Sequence, residues 1–391
     1  MQYFAVPFVV FGDDSLQYLS SVMGKRAYIV TDKTIVKLGL VNLVLEELKK
    51  AGIVCQVFDE VEPEPSTQTI VKSAKIAQGF QPDLVIGVGG GSCMDAAKAT
   101  LVCYAQPDLA PDAISPSSFF NLRSKARLIC IPTTSGTGSE ATFAIVLTDV
   151  EGKRKLSLGS YETVPDVAIL DPLMVMSMPP QITGDTGMDV LCHALEGCTT
   201  TWRNRFTDGP GFQAIKLVFE FLKKAYDNGQ DVESRKEMMY AATIAGTCFG
   251  NSMACLGHST GHALGALFHT PHGRAVGLYL PYTMEYLING SDTTDVARYA
   301  EIARFCKIAE GNDKKCARAL IDAVRKLAKD VGQPLSVKDL GIKREDYMKA
   351  VTELVERAVN EVMTITVNRI PEAPDLEKIY VYAYDGKPVD F

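Results

Sequence analysis

Up to about Pro179 the chain alternates short β-rich runs with stretches of helical periodicity, and beyond it only the helical rhythm remains. That change restricts the fold more than any single motif. Runs at 26–31, 53–57 and 84–87 read as strands, and 34–50 and 67–78 space their apolar residues as amphipathic helices do. Helices placed between strands act as crossovers, so these strands are expected to pair in parallel under helical cover. Further strands are expected at 128–131, 144–148 and 167–170. After Pro179-Pro180, helices are expected at 185–200, 211–224, 237–249, 293–308 and 313–331. The expected fold is an α/β N-terminal domain over 1–179 and an all-α C-terminal domain over 180–391.

Composition removes several classes of function. A net charge of -7 with no block of consecutive Lys or Arg argues against a nucleic-acid track or an anionic membrane surface. A small-molecule substrate fits better. No run of about 18 uncharged apolar residues indicates a membrane span, and the apolar start lacks the basic region of a secretory signal. The chain reads as cytoplasmic. Its ten cysteines include no C-x-x-C pair, so they are expected to be reduced and mostly buried, without a catalytic role.

Two loops suit phosphate. Val85-Ile-Gly-Val-Gly-Gly-Gly-Ser92 runs from a strand into a helix, with Ser92 and Asp95 at the first turn. Glycines let the backbone approach a phosphate, and the N–H groups of the helix start attract its charge. The match to G-x-G-x-x-G is incomplete, with Gly87, Gly89 and then Ser92 in the last glycine's place. The acidic residue expected some twenty positions on is not convincing, since Asp108 and Asp112 lie in a Pro-rich loop. A second loop, Thr133-Thr-Ser-Gly-Thr-Gly-Ser139, also follows a strand and is rich in hydroxyls.

All five histidines lie between positions 193 and 272. Asp189 and His193 are four apart and share a helix face, as do His258 and His262. His272 stands in the turn-like Thr270-Pro-His-Gly273. Either pair alone would read as an ordinary hydrogen-bonded pair. One carboxylate with several imidazoles from separate elements suits Fe(II) or Zn(II) rather than Ca(II) or Mg(II). Spacing leaves open which of the late histidines bind metal, and His262 or His269 could relay protons.

The motifs taken together resemble the iron-containing (group III) alcohol dehydrogenases. The resemblance rests on Val30-Thr-Asp-Lys33, Val88-Gly-Gly-Gly-Ser-Cys-Met-Asp-Ala-Ala-Lys98 and Pro132-Thr-Thr-Ser-Gly-Thr-Gly-Ser-Glu140. It extends through Val164–Pro172, Gly187-Met-Asp-Val-Leu-Cys-His-Ala-Leu-Glu196 and the segment from His258 to Gly273. It implies a Rossmann-like dinucleotide-binding domain, a helical metal-binding and substrate domain, and a homo-oligomer. By position it implies Asp189, His193, His258 and His272 as metal ligands and His262 as the proton-relay residue. Gly89, Gly90, Gly91 and Ser92, with Asp95, would hold the pyrophosphate end of the cofactor, and Thr133 and Thr134 would contact it. Asp32 matches the position whose carboxylate favours an unphosphorylated ribose, hence NAD over NADP. The implied metal is Fe(II), with Zn(II) the alternative, because iron keeps room for substrate beyond four protein ligands. The implied reaction interconverts a primary alcohol or short diol and its aldehyde. A glycerol-dehydrogenase-like polyol enzyme is the alternative, from which His193 as a fourth ligand would separate this chain. Two departures, His269 and Arg274-Ala-Val-Gly277, stand beside the implied metal site and put the choice of substrate in question.

Overall fold

The computed structural model describes residues 3–152, 154–290 and 293–391. The chain divides into two compact units, Met1–Met178 and Pro179–Phe391.

In the first unit, strands β1 (Phe8–Phe11), β2 (Arg26–Val30), β3 (Val54–Phe58), β4 (Leu84–Gly89), β5 (Arg127–Pro132) and β8 (Val167–Leu170) form one sheet. Its order is β1-β8-β5-β4-β2-β3, and every neighbouring pair is parallel. Strands β6 (Ala144–Asp149) and β7 (Arg154–Gly159) form a separate antiparallel hairpin. Between the strands lie α1 (Lys33–Lys37), α2 (Leu40–Lys50), α3 (Thr67–Phe80) and α4 (Gly91–Ala105). Strand β4 is buried at all six positions, which is why it reads as a continuous apolar run rather than an alternating one.

From β2 the chain steps outward to β3, then returns across β2 to β4 and continues the other way. The reversal makes the β2/β4 boundary a topological switch point, where the carboxyl ends of parallel strands open a crevice. Asp32 follows β2 at this point and Gly90 follows β4.

The second unit is helical: α5 (Pro180–Thr199), α6 (Arg205–Asp227), α7 (Val232–Phe249), α8 (Leu256–Phe268) and α9 (His272–Ile288) surround its core. They are joined by α10 (Thr294–Phe305), α11 (Asp313–Asp330), α12 (Arg344–Val359) and α13 (Ala373–Asp385). Helix α5 starts on a proline at its first helical position, where the missing N–H costs nothing. Helices α8 and α9 approach closely because a Cβ on Gly261 would stand 2.7 Å from the Val276 side chain. No described helix is long and apolar enough to cross a membrane.

Several expectations need correction. The helix expected over 34–50 is two, since Gly39 at φ 77° ends the first turn and starts α2 in a new direction. The strand expected at 144–148 pairs with β7, not with the parallel sheet; Arg154–Gly159 opens on two charges and offers only Leu156 and Leu158 as alternating apolar positions, a signal too short to mark its partner. Within the apolar start of the chain, Phe8–Phe11 is the edge strand β1.

Candidate metal centre and dinucleotide loop

Four of the expected ligands converge in the helical unit. Helix α5 presents Asp189 and His193 one turn apart, α8 presents His258, and α9 begins with His272. Asp189 Oδ1 lies 3.7 Å from His193 Nδ1, 3.7 Å from His258 Nε2 and 3.3 Å from His272 Nε2. One donor atom from each residue falls within 4.8 Å of all the others. Ligands about 2.1 Å from a shared ion in tetrahedral array stand about 3.4 Å apart, so the spacing suits a transition-metal ion.

The donor set also has the right defect. Asp189 Oδ1, His193 Nδ1 and His258 Nε2 are buried without a hydrogen-bond partner. Leaving such an atom unsatisfied costs about 1–3 kcal/mol, and three aimed at one point share a natural partner in a cation. Burial alone would raise the Asp189 pKa, but His193 and His272 hold it well below the usual carboxylate range. Burial lowers His193 to about 3, against the pull of Asp189, so its imidazole is neutral and free to ligate. At His258 burial is outweighed by Glu196 and Asp189, and its pKa rises to about 10 without metal. A cation held at Nε2 would take the place of that proton.

Neighbours fix the rings. Phe249 stacks on His193 at 3.9 Å between centroids and 8° between planes, while His193 stacks on His258 at 4.5 Å. Glu196 accepts from His258 Nδ1, and Glu361 Oε1 lies 3.3 Å from His262 Nδ1. His262 stands outside the four-ligand set but close to it, its ring centroid 5.2 Å from that of His272. Burial lowers its pKa despite the Glu361 contact. His269 is exposed and ends α8 in the left-handed conformation, apart from this cluster. Arg274 pairs with Asp185 at 2.9 Å and so braces α9 against α5.

Sequence reasoning missed Glu196, Glu361 and Phe249. Glu196 had a readable signal, since 189, 193 and 196 fall on one face of α5. Glu361 had none, lying 99 residues from the histidine it meets.

In the first unit the two expected phosphate loops lie side by side at the carboxyl ends of β4 and β5, where Thr133 N donates to Gly89 O at 3.0 Å. Gly89 has φ 150°, and Gly90 caps α4 without any side-chain hydrogen bond, which leaves the helix start open to an anion. A Cβ on Gly90 would touch Thr134, and one on Gly91 would stand 2.8 Å from Thr137. Thr133 Oγ1 and Ser135 Oγ are buried without partners, hydroxyls suited to a polar ligand. Ser92 Oγ accepts weakly from Glu64 N at 3.4 Å. Asp32 sits at the switch point, its Oδ1 accepting from Thr34 N and Ile35 N and its Oδ2 facing Cys93 Sγ at 3.3 Å. Asp95, expected among the cofactor contacts, is instead turned inward. Its oxygens accept from Ser139 Oγ at 2.6 Å and Val146 N at 2.9 Å, with Lys98 Nζ 3.7 Å away, so it ties the second loop and β6 to α4.

A parallel sheet with a glycine-turned helix start at its switch point suits a dinucleotide, and the buried carboxylate–imidazole cluster on the helices suits a metal ion. Residues 7–172 match the family described as iron-containing alcohol dehydrogenase, and residues 183–384 match the C-terminal part of the same family. An NADPH-dependent butanol dehydrogenase of Clostridium saccharobutylicum is 37% identical over 385 residues, covering 98% of each chain. Aldehyde-alcohol dehydrogenase 2 of Entamoeba histolytica is 37% identical over 410 residues, and there the chain spans 47% of its relative's length. A solved structure of a 1,3-propanediol oxidoreductase, 30% identical, superposes with a TM-score of 0.90 over 98% of this chain and 100% of that one. The chain belongs to the iron-containing alcohol dehydrogenase family and is an oxidoreductase acting on the CH–OH group of alcohols.

Proposed function

We propose that this chain is an NAD-dependent dehydrogenase of primary alcohols or short diols, with Fe(II) held by Asp189, His193, His258 and His272. The observation that carries the reading is the convergence of these donors on one point with three buried atoms left unpartnered. When bound, the cation would supply Lewis acidity toward the substrate hydroxyl, and the dinucleotide would supply the hydride-accepting ring. Fe(II) is favoured over Zn(II) because four protein donors already complete a tetrahedral zinc shell, whereas iron accepts further ligands.

His262 receives the substrate's hydroxyl proton in this reading. With Nδ1 against Glu361, its Nε2 is the accepting atom, and the lowered pKa keeps the ring neutral and able to accept. Gly89, Gly90, Gly91 and Ser92 bind the pyrophosphate through the uncapped start of α4, and Thr133 and Thr134 line it. The Asp32 carboxylate favours a free ribose hydroxyl and repels a 2′-phosphate, which supports NAD over the NADPH named for the butanol dehydrogenase. Two further features support a homo-oligomer in a reducing, cytoplasmic setting. Edge strand β1 exposes Phe8 and Phe11, and all ten cysteines are unpaired thiols.

The test is NADH formation by the Fe(II)-loaded protein against short primary alcohols, 1,2- and 1,3-diols and glycerol. Turnover of the primary alcohols or diols supports the reading. Turnover of glycerol alone moves it to the polyol enzymes, and turnover of none sinks it.

A further inference from the structure

Glu196 lies on the same face of α5 as Asp189 and His193, and it is 4% exposed. Its carboxylate is fully used. Oε1 accepts from Gly257 N at 2.6 Å, and Oε2 accepts from Cys255 N at 3.0 Å and from His258 Nδ1. Helix α8 begins at Leu256 with Cys255 as a cap that offers no side-chain hydrogen bond, so the capping oxygens come from another helix. Gly257 makes the approach feasible, since a Cβ there would stand 2.8 Å from Glu196 Oε1.

One carboxylate therefore closes the start of α8 and orients the histidine one residue further on. An ionised carboxylate only accepts, so Nδ1 of His258 must carry the hydrogen, and Nε2 is the atom directed toward Asp189. Such a contact fixes both the tautomer and the ring plane of a ligating histidine. Helix dipole and carboxylate reinforce each other, because the negative charge sits at the positive end of α8.

We infer that Glu196 is the positioning residue of the metal centre, setting His258 Nε2 in place as a ligand before the ion arrives. The inference rests on the reading of Asp189, His193, His258 and His272 as the ligand set. Loss of an outer partner of this kind weakens metal binding by about 10–100-fold.

The experiment compares wild type with Glu196→Gln as the full chain, stripped of metal and titrated with Zn(II) against a competing chelator. NAD affinity and far-UV circular dichroism are followed in parallel. Glutamine has one accepting oxygen where glutamate has two, so either Gly257 N or the pair Cys255 N and His258 Nδ1 meets an amide N–H. The expected result is Zn(II) affinity lower by about 10–100-fold, with NAD affinity and helicity unchanged. With only five histidines, ¹⁵N-imidazole spectra of the Zn(II) form are also readable. They are expected to show two Nδ1–H, Nε2-ligated rings in wild type, those of His258 and His272, of which the His258 signal alone is lost or shifted in the variant. Wild-type Zn(II) affinity in Glu196→Gln overturns the inference. So does a fall in Zn(II) affinity matched by equal losses of NAD binding and helicity, which marks general unfolding. If Glu196→Gln fails to fold, Gly257→Ala, whose Cβ displaces the carboxylate, is read by the same criteria. If wild type itself binds no Zn(II), and Asp189→Asn is indistinguishable from it, the ligand-set reading fails first.

Discussion

Replacing Gly273 with alanine tests whether the start of α9 is placed by helix contact for the sake of His272. Gly273 lies against α5, where a Cβ would stand 2.2 Å from the carbonyl oxygen of Asp185 and 2.8 Å from its carbon. Both are backbone atoms of a 20-residue helix and cannot swing aside as a side chain would. Ordinary contact begins at 3.4 Å, so the methyl group drives α9 away from α5 by about 1 Å. His272, the preceding residue, has its Nε2 3.3 Å from Asp189 Oδ1. Metal–ligand distances tolerate only about 0.2 Å, and a displacement of about 1 Å detaches this ligand. Overpacking costs about 1–3 kcal/mol, equivalent to about 2–12 °C of Tm for a unit of this size. Metal content after dialysis against a weak chelator, together with calorimetry, reads both effects. Gly209→Ala is the control, since a Cβ there meets nothing within 4 Å. If Gly273→Ala keeps the wild-type metal content and Tm, either the helix contact does not place His272 or His272 is not a ligand, and the reasoning fails.

Three other perturbations separate the remaining roles. Asp32→Asn keeps an oxygen for Thr34 N and Ile35 N but removes the charge. It is expected to raise kcat/KM for NADPH by about tenfold or more at unchanged Tm, and an undiminished preference for NADH in steady-state assays refutes the role given to Asp32. His262→Ala is expected to retain metal and NAD by titration while losing about 10²–10⁴-fold in turnover; a full rate at neutral pH removes it from the proton path. Chelation is expected to lower the Tm, because metal at about 100 times its Kd contributes about 2.7 kcal/mol and its loss strands three buried polar atoms. An identical melt with and without chelator contradicts that.

The candidate metal cluster was legible in the sequence only in part, as carboxylate and imidazole side chains gathered between Asp189 and His272. Pairs four apart on a helix are recognisable from spacing, and the later structure needed only to bring α5, α8 and α9 together. Choosing His262 as the residue left free came from the family resemblance, not from spacing. What stayed hidden depends on approach between distant segments. Glu361 meets His262 only through the packing around α8, and Asp95 looked like a phosphate-loop residue because nothing in its own segment reveals Ser139 and Val146. In the fold, apolar strands buried on both faces were readable from composition. The edge strand β1 was not read as a strand, since its half-exposed pattern ends in exposed phenylalanines rather than a polar face. Arg154–Gly159 forms a strand only because β6 offers it a partner.

The pairing of β1 with β8 joins Phe8 to Val167, residues made far apart in time. During synthesis at about 5–20 residues per second, β1 waits on the order of ten seconds or longer for its partner, with the backbone groups that β8 will pair still open. The other five strands can assemble before β1 docks only when β8 itself has emerged, because β8 lies between β5 and β1. The sheet is thus completed late, by its earliest-made strand. That interval is when the nascent chain is most open to edge-to-edge association, so slower synthesis or a crowded polysome should cost yield of soluble protein without altering the finished enzyme.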